Sequence, residues 1–220
     1  MQRIITLLRN FIFLIVVLLG VALAANALKY SNFDPQYGFL RLKQQAIATG
    51  WYLPAYYSHV LVGGIILLAG FFQLHPKSIK HFRKLHRIVG YIYVMGILFF
   101  AAPGGIVMSF FIDRGPWVPA SFLVQGSLWF WFTATAFDRI RKKDIEGHRQ
   151  WMWRSYALTF AAITLRVYIF ITSYKYNLSV PEAYATLAWL SWVPNLLIIE
   201  LYLRKISTNS MQSTIVSKEN

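Results

Sequence analysis

Six apolar runs of about 20 residues recur along this chain, at 11–28, 54–74, 88–111, 120–138, 154–174 and 184–203. A helix rises ~1.5 Å per residue, so a run of this length crosses the ~30 Å hydrocarbon core of a bilayer. The runs explain a composition that is 57% hydrophobic with a mean hydropathy of +0.46. A soluble domain of 220 residues has too little interior to hide that much apolar surface. The sequence therefore predicts an all-α fold, a single polytopic transmembrane helix bundle of about six spans over residues 1–205. A polar tail at 206–220 is predicted to be disordered. Tryptophan and tyrosine gather at the run ends (Trp51, Tyr52, Trp117, Trp151, Trp153, Tyr202), as interfacial belts require.

Net charge is +14, and its placement decides what it means. If the N-terminus is cytoplasmic, sixteen basic residues fall in the cytoplasmic segments around 3–9, 77–87, 139–154 and 204–218. Only Lys29, Arg41, Lys43, Arg114 and Lys175 fall outside, and Arg166 lies within a span. This is a strong positive-inside signal. It puts both termini in the cytoplasm and the protein in the inner (plasma) membrane. It also accounts for the basic character without nucleic acid, since no groove-reading helix or stacking platform accompanies the charges. The chain has no cysteine, which excludes disulfides, thiolate metal sites and cysteine nucleophiles.

The first run has a second reading. Arg3 and Arg9, an apolar core and Ala24-Ala25-Asn26-Ala27 imitate a signal peptide with its cleavage site. Its length favours a retained helix. Outside the membrane, segment 36–48 sets Tyr37, Leu40 and Ile47 against Arg41, Lys43, Gln44 and Gln45 at helical spacing, which predicts an amphipathic helix on the outer surface.

Polar groups inside the spans are the candidates for function. Arg166 lies about a dozen residues into the fifth run, ~18 Å from its inner edge, where a charge is expected to face the bundle interior and find a partner. His59, Gln125 and Ser191 come out at similar depth, with Asn195 somewhat deeper. Pro103-Gly104-Gly105 and Pro194-Asn195 should interrupt their helices. These residues predict a polar cavity in the outer half, with His59 as ligand and Arg166 as counter-ion. At the inner face a second group forms from Gln73, His86 and Arg87 on one hairpin and His148, Trp151 and Arg154 on another. Two histidines and several arginines at one interface suit a phosphate or an anionic lipid head group, or could ligate a metal or haem.

The order of these motifs matters. His59, Gly70-Phe-Phe-Gln73, Arg83-x-x-His86-Arg87-x-x-Gly90, His148-Arg-x-Trp151-Met152-x-Arg154 and then Arg166 resemble a bacterial and fungal family of predicted multi-pass membrane proteins, domain of unknown function 2306. The resemblance runs from Phe39 to Arg166. It implies a membrane protein whose polar motifs fall on the positions selected above, and it lends no activity.

Three functions follow as expectations. The first is binding of a cofactor or small ligand, haem b or a quinone, in the helix bundle, with a membrane redox role. The alternative is a transport or binding module for an anionic substrate or lipid, built on Arg166 and the interrupted helices. The third is a non-catalytic assembly protein, with a homo-oligomer in view. No hydrolase signature is present, so an enzymatic role, if there is one, would be that of a membrane-bound oxidoreductase. No confident metal site is predicted.

Overall fold

The computed structural model describes residues 2–174 and 180–219; Lys175, assigned above to the outside, lies beyond the described residues. All regular structure among them is helical. The order is α1 (Gln2–Leu28), α2 (Gln44–Ile47), α3 (Tyr52–Leu74), α4 (Pro76–His81), α5 (Arg83–Gly96), α6 (Ala102–Ser109), α7 (Trp117–Arg141), α8 (Ile145–Thr172), α9 (Pro181–Leu190) and α10 (Val193–Glu219). A π-helical turn, Ile97–Ala101, welds α5 to α6 into one rod.

Five stretches are long and apolar enough to cross a membrane: Arg3–Asn32, Tyr52–Leu74, Arg83–Ser109, Ile145–Thr172 and Glu182–Thr208. The fourth predicted run, now α7, is 25 residues long but falls outside this set. Ser121, Gln125, Ser127, Thr133 and Thr135 dilute its apolar character. It nevertheless packs along both α6 and α8, as their neighbour in the bundle.

The core lies where α3, α5, α7, α8 and the start of α10 meet. Ile66, Tyr93, Ile97, Ala136, Leu158 and Trp192 fill it. α1 lies outside this core, on α3 and α8. Its contact is made by small residues: a Cβ on Gly64 would stand 3.2 Å from the Ala27 Cβ, and one on Gly20 would overlap the Phe71 ring. Lipid supplies no hydrophobic drive between helices, so close approach through small residues is how such a pair is held.

Both predicted helix interruptions take a different form. Pro103 cannot donate a backbone hydrogen bond, and the wide turn at Ile97–Ala101 just before it takes up the mismatch without ending the rod. The sixth run breaks at Ser191-Trp192, earlier than expected. Pro194 sits in the first turn of α10, where a missing N–H costs nothing. That helix then continues through the stretch assigned to a disordered tail, as far as Glu219. α8 starts at Ile145, nine residues before the apolar run, because the Asp144 carboxylate accepts the Gly147 N–H at 2.8 Å and caps its first turn.

The amphipathic segment is a 3-10 turn (Gly38–Lys43) followed by α2, and its apolar face packs on protein. Leu40 is fully buried among Tyr30, Tyr52 and Tyr56. The loop wraps around Tyr30, whose hydroxyl accepts the Phe39 N–H at 3.0 Å. Gly38, at φ +55°, leaves room for that hydroxyl. Lys43 fastens the segment to the end of α6 by donating to the Phe111 carbonyl at 3.0 Å. Burial, and then the charge of Arg114, push this ammonium below its usual pKa.

Candidate functional site

Three histidines in the bundle are held in the same way. His59, two turns into α3, donates its Nδ1–H to the Ala101 carbonyl at 2.7 Å. His148, in the first turn of α8, donates Nδ1–H to the Ala136 carbonyl of α7 at 2.8 Å. His86, at the start of α5, has Nδ1 3.2 Å from the Ser78 Oγ. That hydroxyl gives its own proton to the His75 carbonyl at 2.7 Å, so it accepts from His86. In each ring Nδ1–H is engaged by a protein oxygen, which leaves Nε2 as the nitrogen that can meet a ligand. A histidine that ligates a metal is oriented by such an anchor on its second nitrogen.

His86, at the start of α5, and His148, at the start of α8, both lie at the basic end of the bundle. Gln73 completes the group. It is buried, and its Nε2 donates to the His86 carbonyl at 2.7 Å. Gly90 lies alongside it, where a Cβ would meet the Gln73 Oε1 in ordinary contact at 3.6 Å. His86 and His148 both keep part of their surface accessible, and Arg87 beside them is exposed.

Arg154 and Trp151 are drawn elsewhere. Arg154 makes a two-pronged ion pair with Glu200 of α10, Nε to Oε1 at 2.6 Å and Nη2 to Oε2 at 3.0 Å. Its guanidinium also lies 4.7 Å from the centre of the Trp151 ring. Arg154 is thus paired with a carboxylate of the protein itself. Glu200→Ala is expected to leave that half-buried charge unpaired and to lower stability by about 1–3 kcal/mol, read as a fall in the Tm of the detergent-solubilised protein. Exchanging the two residues, Arg154→Glu with Glu200→Arg, should recover part of it.

The outer group does not converge as predicted. Arg166 is exposed, and among the described residues no hydrogen bond or ion pair involves it. It lies six residues before the end of α8, about 9 Å from that end, so its long side chain can reach the interface instead of needing a partner in the interior. Ser191 is buried and bonded to the Ala188 carbonyl. Asn195 spends its amide on the Ala157 carbonyl, Thr164 and the Ser191 carbonyl, tying α10 to α8. Gln125 reaches the Leu158 carbonyl at 3.4 Å. Gln125 and Asn195 act as interhelical connectors, whereas the Ser191 hydroxyl closes the end of its own helix. His59 keeps accessible surface and packs against bare backbone: a Cβ on Gly105 would come within 2.8 Å of its Nδ1.

One polar group went unnoticed in the sequence. At the centre of the core the Tyr93 hydroxyl lies 2.6 Å from the Thr159 Oγ1 and 3.1 Å from the Ser155 Oγ. Trp129 donates to Thr159 at 3.1 Å, and Thr133 meets Ser155 at 2.8 Å. The five side chains join α5, α7 and α8. The available signal was the pair of small hydroxyls at i, i+4, Ser155 and Thr159, level with Trp129 and Thr133 at the same spacing on α7. Among the described residues, no three histidine or carboxylate side chains are grouped to hold a metal ion.

A bundle of long apolar helices with polar side chains turned inward defines an α-helical membrane protein. The chain belongs to the family described as predicted membrane protein DUF2306, whose model matches residues 56–203. That range contains all three anchored histidines, Arg154, Arg166 and Glu200. No curated protein and no solved structure matches the chain.

Proposed function

We propose that this membrane protein binds a cofactor or small ligand of the haem or quinone type at the basic end of its helix bundle, through His86 and His148. The observation that carries this reading is the shared anchoring of the two rings. With both Nδ1–H groups committed to protein oxygens, Nε2 of each ring is the nitrogen left to act as a Lewis base when the ring is neutral. Such atoms suit an iron centre, or accept a proton from a quinol hydroxyl. The exposed Arg87 adjoins them and supplies a positive charge for propionates or for lipid head groups. His59, anchored alike but without a second histidine beside it, is a weaker ligand site in this reading.

The topology that accompanies the proposal has six spans. α7 is antiparallel to its neighbours through the short connections 110–116 and 142–144, so it crosses wherever they do. Both termini and the His86–His148 site then face the cytoplasm across the inner membrane. Extraction of the purified protein into organic solvent, followed by mass spectrometry, tests the ligand. A haem or quinone should be recovered from the wild type and lost from His86→Ala and His148→Ala. Equal recovery from all three would overturn the assignment.

A further inference from the structure

Tyr91 of α5 and Phe137 of α7 touch edge-on near the basic end of the bundle, with ring centres 6.3 Å apart. α5 runs away from that end and α7 runs towards it. The residue one turn nearer the end is therefore Arg87 on α5 and Arg141 on α7, each about 6 Å along its helix from the aromatic pair. The ring contact sets two guanidinium groups at one level, on either side of one seam. We infer that these two arginines clamp the phosphate of an anionic phospholipid.

Both arginines are exposed, and neither enters an ion pair among the described residues. The Arg141 guanidinium lies 5.9 Å from the centre of the Phe137 ring, which holds it over the seam. Other cations at this end are neutralised. Arg139 pairs with Asp144, Lys142 with Asp138, Arg149 with Glu146 and Arg154 with Glu200. Each of those carboxylates already holds a cation, and the stretch 75–112 contains no acidic residue that could serve Arg87 instead. A positive-inside bias is satisfied by cations anywhere on a cytoplasmic segment. It does not account for two unpaired arginines flanking one aromatic contact.

Further from the basic end the seam becomes apolar. Phe130, Ala134, Phe137 and Arg141 share one face of α7 at i, i+4, i+7 and i+11, and Phe130 is 42% exposed. On α5, Ile88 and Tyr91 are 57% and 52% exposed. An acyl chain can lie along this track while the head group stays at the arginines. Guanidinium groups present paired N–H donors that match phosphate oxygens. A zwitterionic head group would bring its own cation against two like charges, so the seam favours a lipid with net negative charge. The inference is independent of the ligand proposed for His86 and His148.

The test is native mass spectrometry of the full-length protein in detergent micelles doped with phosphatidylglycerol or with phosphatidylcholine of the same acyl chains. Phosphatidylglycerol is expected to bind at least about tenfold more tightly, the scale set by two cations at a lipid surface. Arg87→Gln combined with Arg141→Gln should bring the two lipids to parity. Arg204→Gln combined with Lys205→Gln removes the same charge from α10 and should leave the preference intact. All four positions are exposed, so neither double variant should disturb the fold. Equal binding of the two lipids to the wild type would overturn the inference. So would a preference that survives loss of Arg87 and Arg141, or one that the α10 variant loses to the same degree.

Discussion

Tyr93→Ala is expected to destabilise the protein by about 3–5 kcal/mol, the range for removing a large aromatic side chain from a packed core. Tyr93 is completely buried between α3 and α8, with its ring 4.9 Å from that of Tyr156. Truncation empties that space and takes the hydroxyl away from Thr159 and Ser155 together. Tyr93→Phe separates the two losses. The ring remains, Thr159 keeps the Trp129 donor and Ser155 keeps Thr133, so the expected cost is about 1 kcal/mol. Thermal unfolding of the two variants in the same detergent measures the difference. A phenylalanine variant as unstable as the alanine variant would show that the hydroxyl network, and not the packing, holds these helices.

The second large effect is expected at Gly104. A Cβ there would lie 2.6 Å from the Ala55 carbonyl and 2.5 Å from the Ser58 Oγ. The carbonyl is backbone and cannot swing aside, so a side chain must push α6 away from α3. Gly104→Val is expected to cost at least about 1–3 kcal/mol, the usual price of overpacking. It should also loosen the Ala101 carbonyl from His59, because the π turn that presents this carbonyl is continuous with α6. Gly63 provides the control. A Cβ there meets nothing within 4 Å, so Gly63→Ala should leave the Tm unchanged or slightly raised.

The sequence carried the fold in its run lengths, because hydropathy is a local property and a bilayer imposes one length on every span. It carried less of α7, whose polar residues, the buried Ser121 and Thr133 among them, lower its mean hydropathy. The rotation of each helix about its axis was not legible, and this decided the outer site. Arg166, Gln125, Ser191 and Asn195 share a level, yet they turn towards different neighbours. The ion pair of Arg154 joins residues 46 apart in sequence, which no local pattern records. His86 and His148 could be named from their motifs. The groups that fix their tautomers could not, since the Ala136 carbonyl is backbone and the Ser78 hydroxyl lies in the basic connection. A backbone acceptor leaves no mark in the residue type.

The central claim is that His86 and His148 hold a redox cofactor. Absorption spectra of the detergent-purified protein, oxidised and then reduced with dithionite, test it most directly. The predicted result is a redox difference spectrum in the wild type that persists in His59→Ala and is lost in both His86→Ala and His148→Ala. A haem would give a Soret band with a sharp reduced α-band, and a quinone would give a change confined to the ultraviolet. Protein from haem- and quinone-replete cells that shows no redox difference, or one that survives both substitutions, would contradict the account.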